Sequence, residues 1–194
     1  MSLLLTLLAA KGLGALVGSL LLITQPVPGL AEPRLAVVAG SLHVQTELRH
    51  GFNRHLDGLL GSGTTVAVGY SATLLARRPD GTVEAMREHA FFHSARYEPA
   101  ADSFLVFRSE LAGRPDSLLT VPTLASAREL LVRVNAPVGS AAGLNSENEY
   151  AVRLRAALNT VRLEALEGQD LDLNTFWNYR YPRGVTPWTR LDKP

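Results

Sequence analysis

Two histidines lie four residues apart in the segment EHAFFHSARYEP, and their type and spacing could serve metal chemistry. On a helix, residues four apart are about 5 to 6 Å from each other and can share a zinc ion. On a strand they point to the same side but stand about 13 Å apart, at about 3.3 Å per residue. Turn signals flank the segment on both sides, so a strand is predicted. His89 and His93 are therefore not expected to chelate one ion together.

Other residue types with catalytic potential form no recognisable constellation. The chain contains no cysteine, which excludes disulfides, thiolate nucleophiles and cysteine-ligated metal centres. His50 and His55 fall on different sides of a predicted helix. The serines lack the context of a nucleophile elbow, and GLLGSGTT lacks the lysine of a phosphate-binding loop. We therefore expect no catalytic residues, no metal site and no cofactor.

The C-terminal segment FWNYRYPRG has the composition of a binding surface. Aromatic residues alternate there with polar ones and are followed by arginine. Tyr, Trp and Arg are enriched in binding hot spots and in platforms for sugars or peptides. The alternative is that an edge strand packs its aromatic side chains on the sheet or on the first helix. The candidate binding residues are Trp177, Tyr179, Arg180, Tyr181 and Arg183.

The charge balance limits the classes of partner. Lys11 lies in a predicted export segment, and the rest of the chain has 18 basic and 18 acidic residues. A neutral chain lacks the electrostatic footprint of proteins that bind nucleic acid or an anionic membrane surface. Seventeen of the nineteen basic residues are arginine. Genomic base composition accounts for this bias, and planar, bidentate recognition is the alternative.

Residues 1–31 have the composition of a signal peptide or N-terminal anchor. The apolar stretch at 12–24 is 13 residues long, which fits a signal peptide and is short of the roughly 20 residues that span a bilayer. Because SLLLTLLAA precedes Lys11, either translation starts nearer Lys11 or an uncleaved anchor carries this lysine, at a cost of about 2.5 to 3.5 kcal/mol. Residues 32–194 are then a single exported domain, located in the periplasm or held at the inner membrane.

Hydrophobic periodicity predicts the elements that must position these residues. Leu48, Phe52, Leu56 and Leu59 fall at helical spacing, which indicates a helix over 46–60 with Thr46 as its N-cap. Residues 64–77 alternate between apolar and small or polar types, as in a half-buried strand. The remaining predicted elements are strands at 34–44, 83–97, 103–110 and 148–163, a helix at 123–134, a linker at 136–146 and a last strand within 175–188.

The register of the hairpin around RPDGT decides which side the histidines occupy. A two-residue turn places Val68 opposite His93 and turns both histidines to the apolar side. A three-residue loop with a glycine bulge at Gly81 places Val68 opposite Phe92 and turns them to the polar side. A slip of one residue exchanges the two faces of a strand. The second register is predicted, because Pro79 and Gly81 then both occupy favoured turn positions.

Three segments together resemble one family of exported bacterial proteins. They are ELRHGFNRHLDGLLGSGTTVAVGYSATLLARR, EYAVRLRAALNTVRL and FWNYR. They are similar to domain-of-unknown-function family 4390, in which a signal peptide precedes a strand, a short helix ending at Gly, a strand ending in basic residues and a late strand of alternating Arg and Leu. RLEALEG stands here where that family has prolines. The resemblance implies an envelope protein of Gram-negative type, with no assigned activity and no catalytic residues to carry over.

Taken together, the patterns predict an α+β fold in which a curled antiparallel β-sheet, largely a meander, packs on one main helix. The alternative is a β-sandwich capped by that helix. The predicted function is a non-catalytic periplasmic module that binds another envelope protein through the C-terminal residues. The alternatives are a carrier that holds a lipid or other apolar ligand between sheet and helix, and a hydrolase that uses His89 or His93. Membrane contact is expected only through residues 1–31, and no nucleic-acid partner is expected.

Overall fold

A computed structural model describes residues 26–109, 117–163 and 168–191. It confirms the α+β class with a curled antiparallel sheet. The helices are α1 (Arg54–Gly61) and α2 (Leu124–Val132). The strands are β1 (Gly29–Leu30), β2 (Arg34–Val38), β3 (Ser41–Arg49), β4 (Val66–Arg77), β5 (Val83–Glu98), β6 (Ser103–Ser109), β7 (Ser117–Val121), β8 (Arg133–Ser140), β9 (Glu149–Leu158), β10 (Thr160–Leu163), β11 (Gln169–Asp172), β12 (Arg183–Val185) and β13 (Thr189–Arg190).

The larger sheet carries the candidate site. Its strands follow the order β12-β9-β4-β5-β6-β7, with β13 also paired to β9. The run from β4 to β7 is a meander, as predicted, and every pairing in it is antiparallel. Strand β9 returns from far along the chain to pair with the other edge of β4. Residues distant in sequence therefore become neighbours on this part of the sheet.

A smaller sheet, formed by β1, β2, β3 and β8, was not anticipated. Residues 34–44 are not one strand but a hairpin that turns at Ala39 and Gly40, both with positive φ. The predicted linker at 136–146 is wrong over its first half, because Ala136 to Ser140 belong to β8, which pairs with β3. Val134, Ala136 and Val138 are buried at alternate positions of β8. That alternation outweighs the Gly, Pro and Ser content on which the linker prediction rested.

Helix α1 starts later than predicted. Asn53 is its N-cap, since the side-chain oxygen accepts hydrogen bonds from the backbone N–H groups of His55 and Leu56. Thr46 lies in β3 instead, where its hydroxyl donates to the carbonyl of Ala31 at 2.6 Å. Leu48 belongs to the same core as the helix but reaches it from a strand. The helical spacing of Leu48 with the later leucines therefore does not reflect a shared helix; it arises because a strand and a helix both bury leucines in one core.

The core lies on one face of the larger sheet, beneath the two helices and the smaller sheet. The alternation predicted for residues 64–77 is confirmed, because one side of β4 is buried, and β9 buries alternate side chains in the same way. The buried residues of the two strands are Val66, Val68, Tyr70, Ala72, Leu74, Tyr150, Val152, Leu154, Ala156 and Leu158. Leu56 and Leu60 of α1 and Leu131 of α2 complete the packing at 0% exposure. The opposite face of the sheet carries polar and charged side chains such as Ser71, Arg153 and Arg155, together with apolar ones such as Phe92, which lies opposite Gly69.

The predicted hairpin register holds at the tip and is wrong beyond it. Gly81 has φ +86°, and Arg77 pairs with Val83 as a three-residue loop requires. A β-bulge at Met86 then shifts the pairing by one residue, so that Val68 lies opposite His93. An extra residue in one strand has this effect, because side chains alternate with a period of two. The bulge turns both histidines to the apolar side, and His93 is 1% exposed.

The positive φ of Gly81 leads to a prediction with a matched control. We expect Gly81→Ala to lower the free energy of unfolding by about 1 kcal/mol, because an L side chain is strained at this φ. We expect Gly58→Ala, inside α1 and facing open space, to raise it by up to about 1 kcal/mol. Urea denaturation followed by circular dichroism measures both. Equal effects of the same sign would contradict the conformational argument.

Candidate functional site

Of the last strand predicted within 175–188, only β12 (Arg183–Val185) is formed. Residues Leu173–Trp177 form a 3₁₀ turn that is capped by Asp172, whose side chain accepts from the Asn174 N–H at 2.9 Å. Asn178 and Tyr179 follow with φ of 49° and 55°. A left-handed pair reverses the chain and removes the alternation on which the binding-surface prediction rested. The segment becomes extended again only at β12.

Trp177 lies in the core rather than on a surface. Its side chain is 2% exposed, and its Nε1–H donates to the carbonyl of Gly51 at 2.8 Å. The indole therefore joins the 3₁₀ turn to the loop that precedes α1. A partner has no direct access to this side chain, and for Trp177 the packing alternative holds.

The other four candidate residues fall on two separate surfaces. Tyr179 is 57% exposed, and Arg180 lines a cavity near the N-terminal end of α1. Arg183 begins β12, at the edge of the larger sheet, and only Pro182 separates Tyr181 from that strand. The structure thus divides the predicted cluster and brings Tyr181 and Arg183 next to Arg155 of β9.

Three arginines, Arg153, Arg155 and Arg183, lie next to one another on the outward face of β9 and β12, and we call the surface that they form with their neighbours the arginine face. Cross-strand pairing sets Arg183 directly opposite Arg155, and Arg155 opposite Ser71. One row along, Val185 lies opposite Arg153, and Arg153 opposite Thr73. Together they line an open cavity of about 580 Å³. The arginine face is defined as Ser71, Thr73, Arg153, Arg155, Arg183 and Val185.

The three arginines of this face form no ion pair with any described residue. The nearest carboxylate on β9, that of Glu149, is already engaged, since Arg77 Nε donates to it at 2.7 Å. Arg155 instead lies over the ring of Tyr181, with its guanidinium carbon 4.2 Å from the centroid. Like charges directly opposite on neighbouring strands destabilise a sheet. The Arg155 and Arg183 pair is therefore an unfavourable arrangement that an anion would relieve.

Arg153 and Arg155 lie in the strand predicted at 148–163, but they were not recognised as site residues. The available signal was their i, i+2 spacing in RLR around the buried Leu154. Spacing of this kind is equally typical of an ordinary solvated face. What distinguishes the arginine face is the register of β12, β9 and β4, which unites residues from three separate parts of the chain.

His93 is part of a buried network at the end of α2. Its Nδ1 lies 3.2 Å from the carbonyl of Leu131, and the Tyr70 hydroxyl donates to the same oxygen at 3.0 Å. Arg108 Nε donates to His93 Nε2 at 3.4 Å. The Leu131 carbonyl can only accept, so Nδ1 carries the proton. Because Nε2 accepts from Arg108, it is unprotonated and the ring is neutral. Burial, with a smaller contribution from the Arg108 charge, lowers the pKa of His93 to about 4.

His89 faces the same apolar side, where its ring stacks on Phe91 with centroids 6.0 Å apart. Its Nε2 is buried without a hydrogen-bond partner among the protein atoms described. Both histidines lie on strand β5, as predicted, which keeps them too far apart to share an ion. Within the described ranges, no three or more His, Asp or Glu side chains are grouped as metal ligands.

The prediction for residues 1–31 falls mostly on residues 1–25, which lie outside the described part of the chain. In the part that is described, no helix has the length and apolar character needed to cross a membrane.

Comparisons with protein-family models, with curated proteins and with solved structures found no significant match to this chain.

Proposed function

We propose that this protein is an exported, non-catalytic module whose arginine face binds an acidic segment of another envelope protein. One observation carries the proposal: Arg155 and Arg183 lie directly opposite each other without a carboxylate partner among the described residues. A ligand that supplies carboxylates would remove the repulsion and gain charge-assisted hydrogen bonds. Guanidinium groups suit this role because they bind carboxylates in a bidentate manner.

The geometry favours an extended ligand. Arg153 and Arg155 are two residues apart on one strand, and side chains at such positions are about 6.6 Å apart. Acidic side chains at alternate positions of an extended peptide have the same spacing. The hydroxyl of Ser71 adds a hydrogen-bonding group, and Val185, which is 49% exposed, adds apolar surface. The expected ligand is therefore an extended segment with Asp or Glu at alternate positions.

Export and the absence of catalysis belong to the same proposal. The apolar composition of residues 12–24 supports export. The packing of His93 against the end of α2 gives no support to a hydrolase that uses His93. The carrier hypothesis needs apolar space between the larger sheet and α1, and the buried side chains of Leu56, Leu60 and Tyr70 fill the core there.

The peptide-binding prediction uses two arginine variants and a control. We expect Arg155→Gln and Arg183→Gln each to weaken binding of a fluorescein-labelled peptide with alternating Glu and Val by about tenfold, the effect of losing one charge-assisted hydrogen bond. The same variants are expected to keep or slightly raise stability, because the cross-strand repulsion is removed. Fluorescence anisotropy and urea denaturation measure the two quantities.

Arg96→Gln is the matched control, because Arg96 is an exposed arginine of β5 outside the arginine face. A peptide in which Gln replaces Glu controls for the ligand charge. If the wild-type protein binds both peptides equally, or if Arg96→Gln weakens binding as much as Arg155→Gln, the arginine face has no specific role.

The cellular partner is identified by photo-crosslinking. A photoreactive residue at Val185 in the full-length chain, expressed in its native host, is expected to give a discrete adduct with one envelope protein. The same residue at Val37, which is 51% exposed on β2, serves as the control position. The adduct is expected to decrease in the Arg155→Gln background and to map to an acidic segment of the partner. Adducts shared by both positions would contradict the proposal.

A further inference from the structure

A second cavity, which we call the α1 cavity, lies where the 3₁₀ turn meets the N-terminal end of α1. Its volume of about 710 Å³ falls within the range of roughly 300 to 1,000 Å³ that is typical of small-molecule sites. Aromatic and cationic side chains share its lining. The residues that define it here are His50, Phe52, Arg54, His55, Phe176 and Arg180.

The walls of the α1 cavity are fixed by contacts between distant segments. Trp177 Nε1 donates to the Gly51 carbonyl at 2.8 Å, and Asn53 Nδ2 donates to the Phe176 carbonyl at 3.3 Å. The rings of His55 and Phe176 stack, with centroids 5.5 Å apart and an interplanar angle of 10°. These three contacts hold the 3₁₀ turn against the start of α1. The cavity is therefore formed before a ligand arrives, which reduces the entropic cost of binding.

The charge lining the α1 cavity has one sign. Arg54 and Arg180 both contribute to its surface, whereas no Asp or Glu lies among the described lining residues. Neither arginine makes an ion pair elsewhere in the described structure. The cavity therefore offers two cations that are not neutralised by the protein, beside the apolar surface of Phe52 and Phe176.

The backbone around the α1 cavity is held in unfavourable conformations. His50 has φ of 55°, and Asn178 has φ of 49°, and both residues line the cavity. A residue such as His50 costs of order 1 kcal/mol in this region, Asn adopts it more readily, and such strain is concentrated at ligand sites. The two positions lie on opposite sides of the contact between Trp177 and Gly51. This strain agrees with the ligand site that the cavity and its charge indicate.

We infer that the α1 cavity binds a small organic anion, a molecule with an anionic group attached to an aromatic or aliphatic body. Arg54 and Arg180 attract the anionic group, and Phe52 and Phe176 contact the apolar body. This site is separate from the arginine face and does not depend on the function proposed for it. Its ligand is small because the cavity is bounded on both sides by the 3₁₀ turn and the loop before α1.

The test uses two fluorescent probes that differ in charge. One is 8-anilinonaphthalene-1-sulfonate, an aromatic anion, and the other is N-phenyl-1-naphthylamine, its uncharged analogue. We expect the full-length native chain to bind one equivalent of the sulfonate. Arg54→Gln and Arg180→Gln are each expected to weaken it by about tenfold, the loss of one charge-assisted interaction, and to leave the Kd of the uncharged probe within about twofold.

Two further variants locate the binding. Phe176→Leu is expected to weaken both probes, because the apolar wall is shared by both. Arg96→Gln, at an exposed arginine of β5 outside both sites, is expected to leave both affinities unchanged, and circular dichroism verifies that each variant is folded. The inference is overturned if the sulfonate does not saturate, if it binds Arg54→Gln and Arg180→Gln as tightly as wild type, or if Arg96→Gln weakens its binding as much as they do.

Discussion

Replacing Trp177 by Ala is expected to lower the free energy of unfolding by about 3 to 5 kcal/mol, the range for removing a large buried aromatic side chain. The indole is 2% exposed, so its removal leaves a cavity in the core. The Gly51 carbonyl also loses the donor that approaches it at 2.8 Å. Equilibrium urea denaturation, followed by far-UV circular dichroism, measures the loss.

Two variants separate packing from surface contact. Trp177→Phe is expected to lose less than Trp177→Ala, because it retains an aromatic ring and gives up mainly the hydrogen bond. Tyr179→Ala, at a position that is 57% exposed, is expected to change stability by less than about 0.5 kcal/mol. A Trp177→Ala protein with a wild-type urea midpoint would show that the indole is not part of the core.

Acid is expected to destabilise the protein through His93. The folded-state pKa is about 4, whereas an unfolded histidine has a pKa of about 6.5. Between these values the unfolded state binds a proton that the native state does not, so stability falls as the pH is lowered. The difference between the two pKa values corresponds to about 3 kcal/mol, lost progressively from about pH 6.5 to about pH 4. Urea midpoints measured across this range test the expectation.

The slope of stability against pH, rather than the absolute stability, shows whether His93 is the group responsible for the acid sensitivity. His93→Gln is expected to lower stability near neutral pH but to make it less dependent on pH across the acid range. Tyr70→Phe removes the other hydrogen bond to the Leu131 carbonyl without removing a group that titrates in this range. It is expected to shift the whole curve downward in parallel. An unchanged slope in His93→Gln would assign the acid sensitivity to other groups.

The larger sheet was the most predictable part of the fold. One side of β4 and one side of β9 are buried at every second residue, and an alternation of this kind is visible in the sequence itself. The start of α1 was less predictable, because Leu48 in β3 and Leu56 in α1 enter one core from different elements. The bulge at Met86 left no local signal, since it is set by how β5 packs rather than by its turn.

The candidate site was predictable only in part. Tyr181 and Arg183 were among the chosen residues, yet the structure places Trp177 in the core and Arg180 in a different cavity. A local composition rule treats neighbours in sequence as neighbours in space, and the left-handed pair Asn178 and Tyr179 breaks that link. The arginine face depends on pairing between β12, β9 and β4, which no single segment encodes.

The bulge at Met86 gives the β4–β5 hairpin two independent parts. Arg77 and Val83 pair in the register required by the turn, while Val68 and His93 pair in the register required by the core. Met86 has no partner on β4 and shifts the register by one residue. The register at the tip therefore does not decide which side chains of β5 face the core. Residues 78–82 are all exposed. The hairpin tip is thus a natural insertion point, where a peptide tag could be introduced without displacing a single core contact.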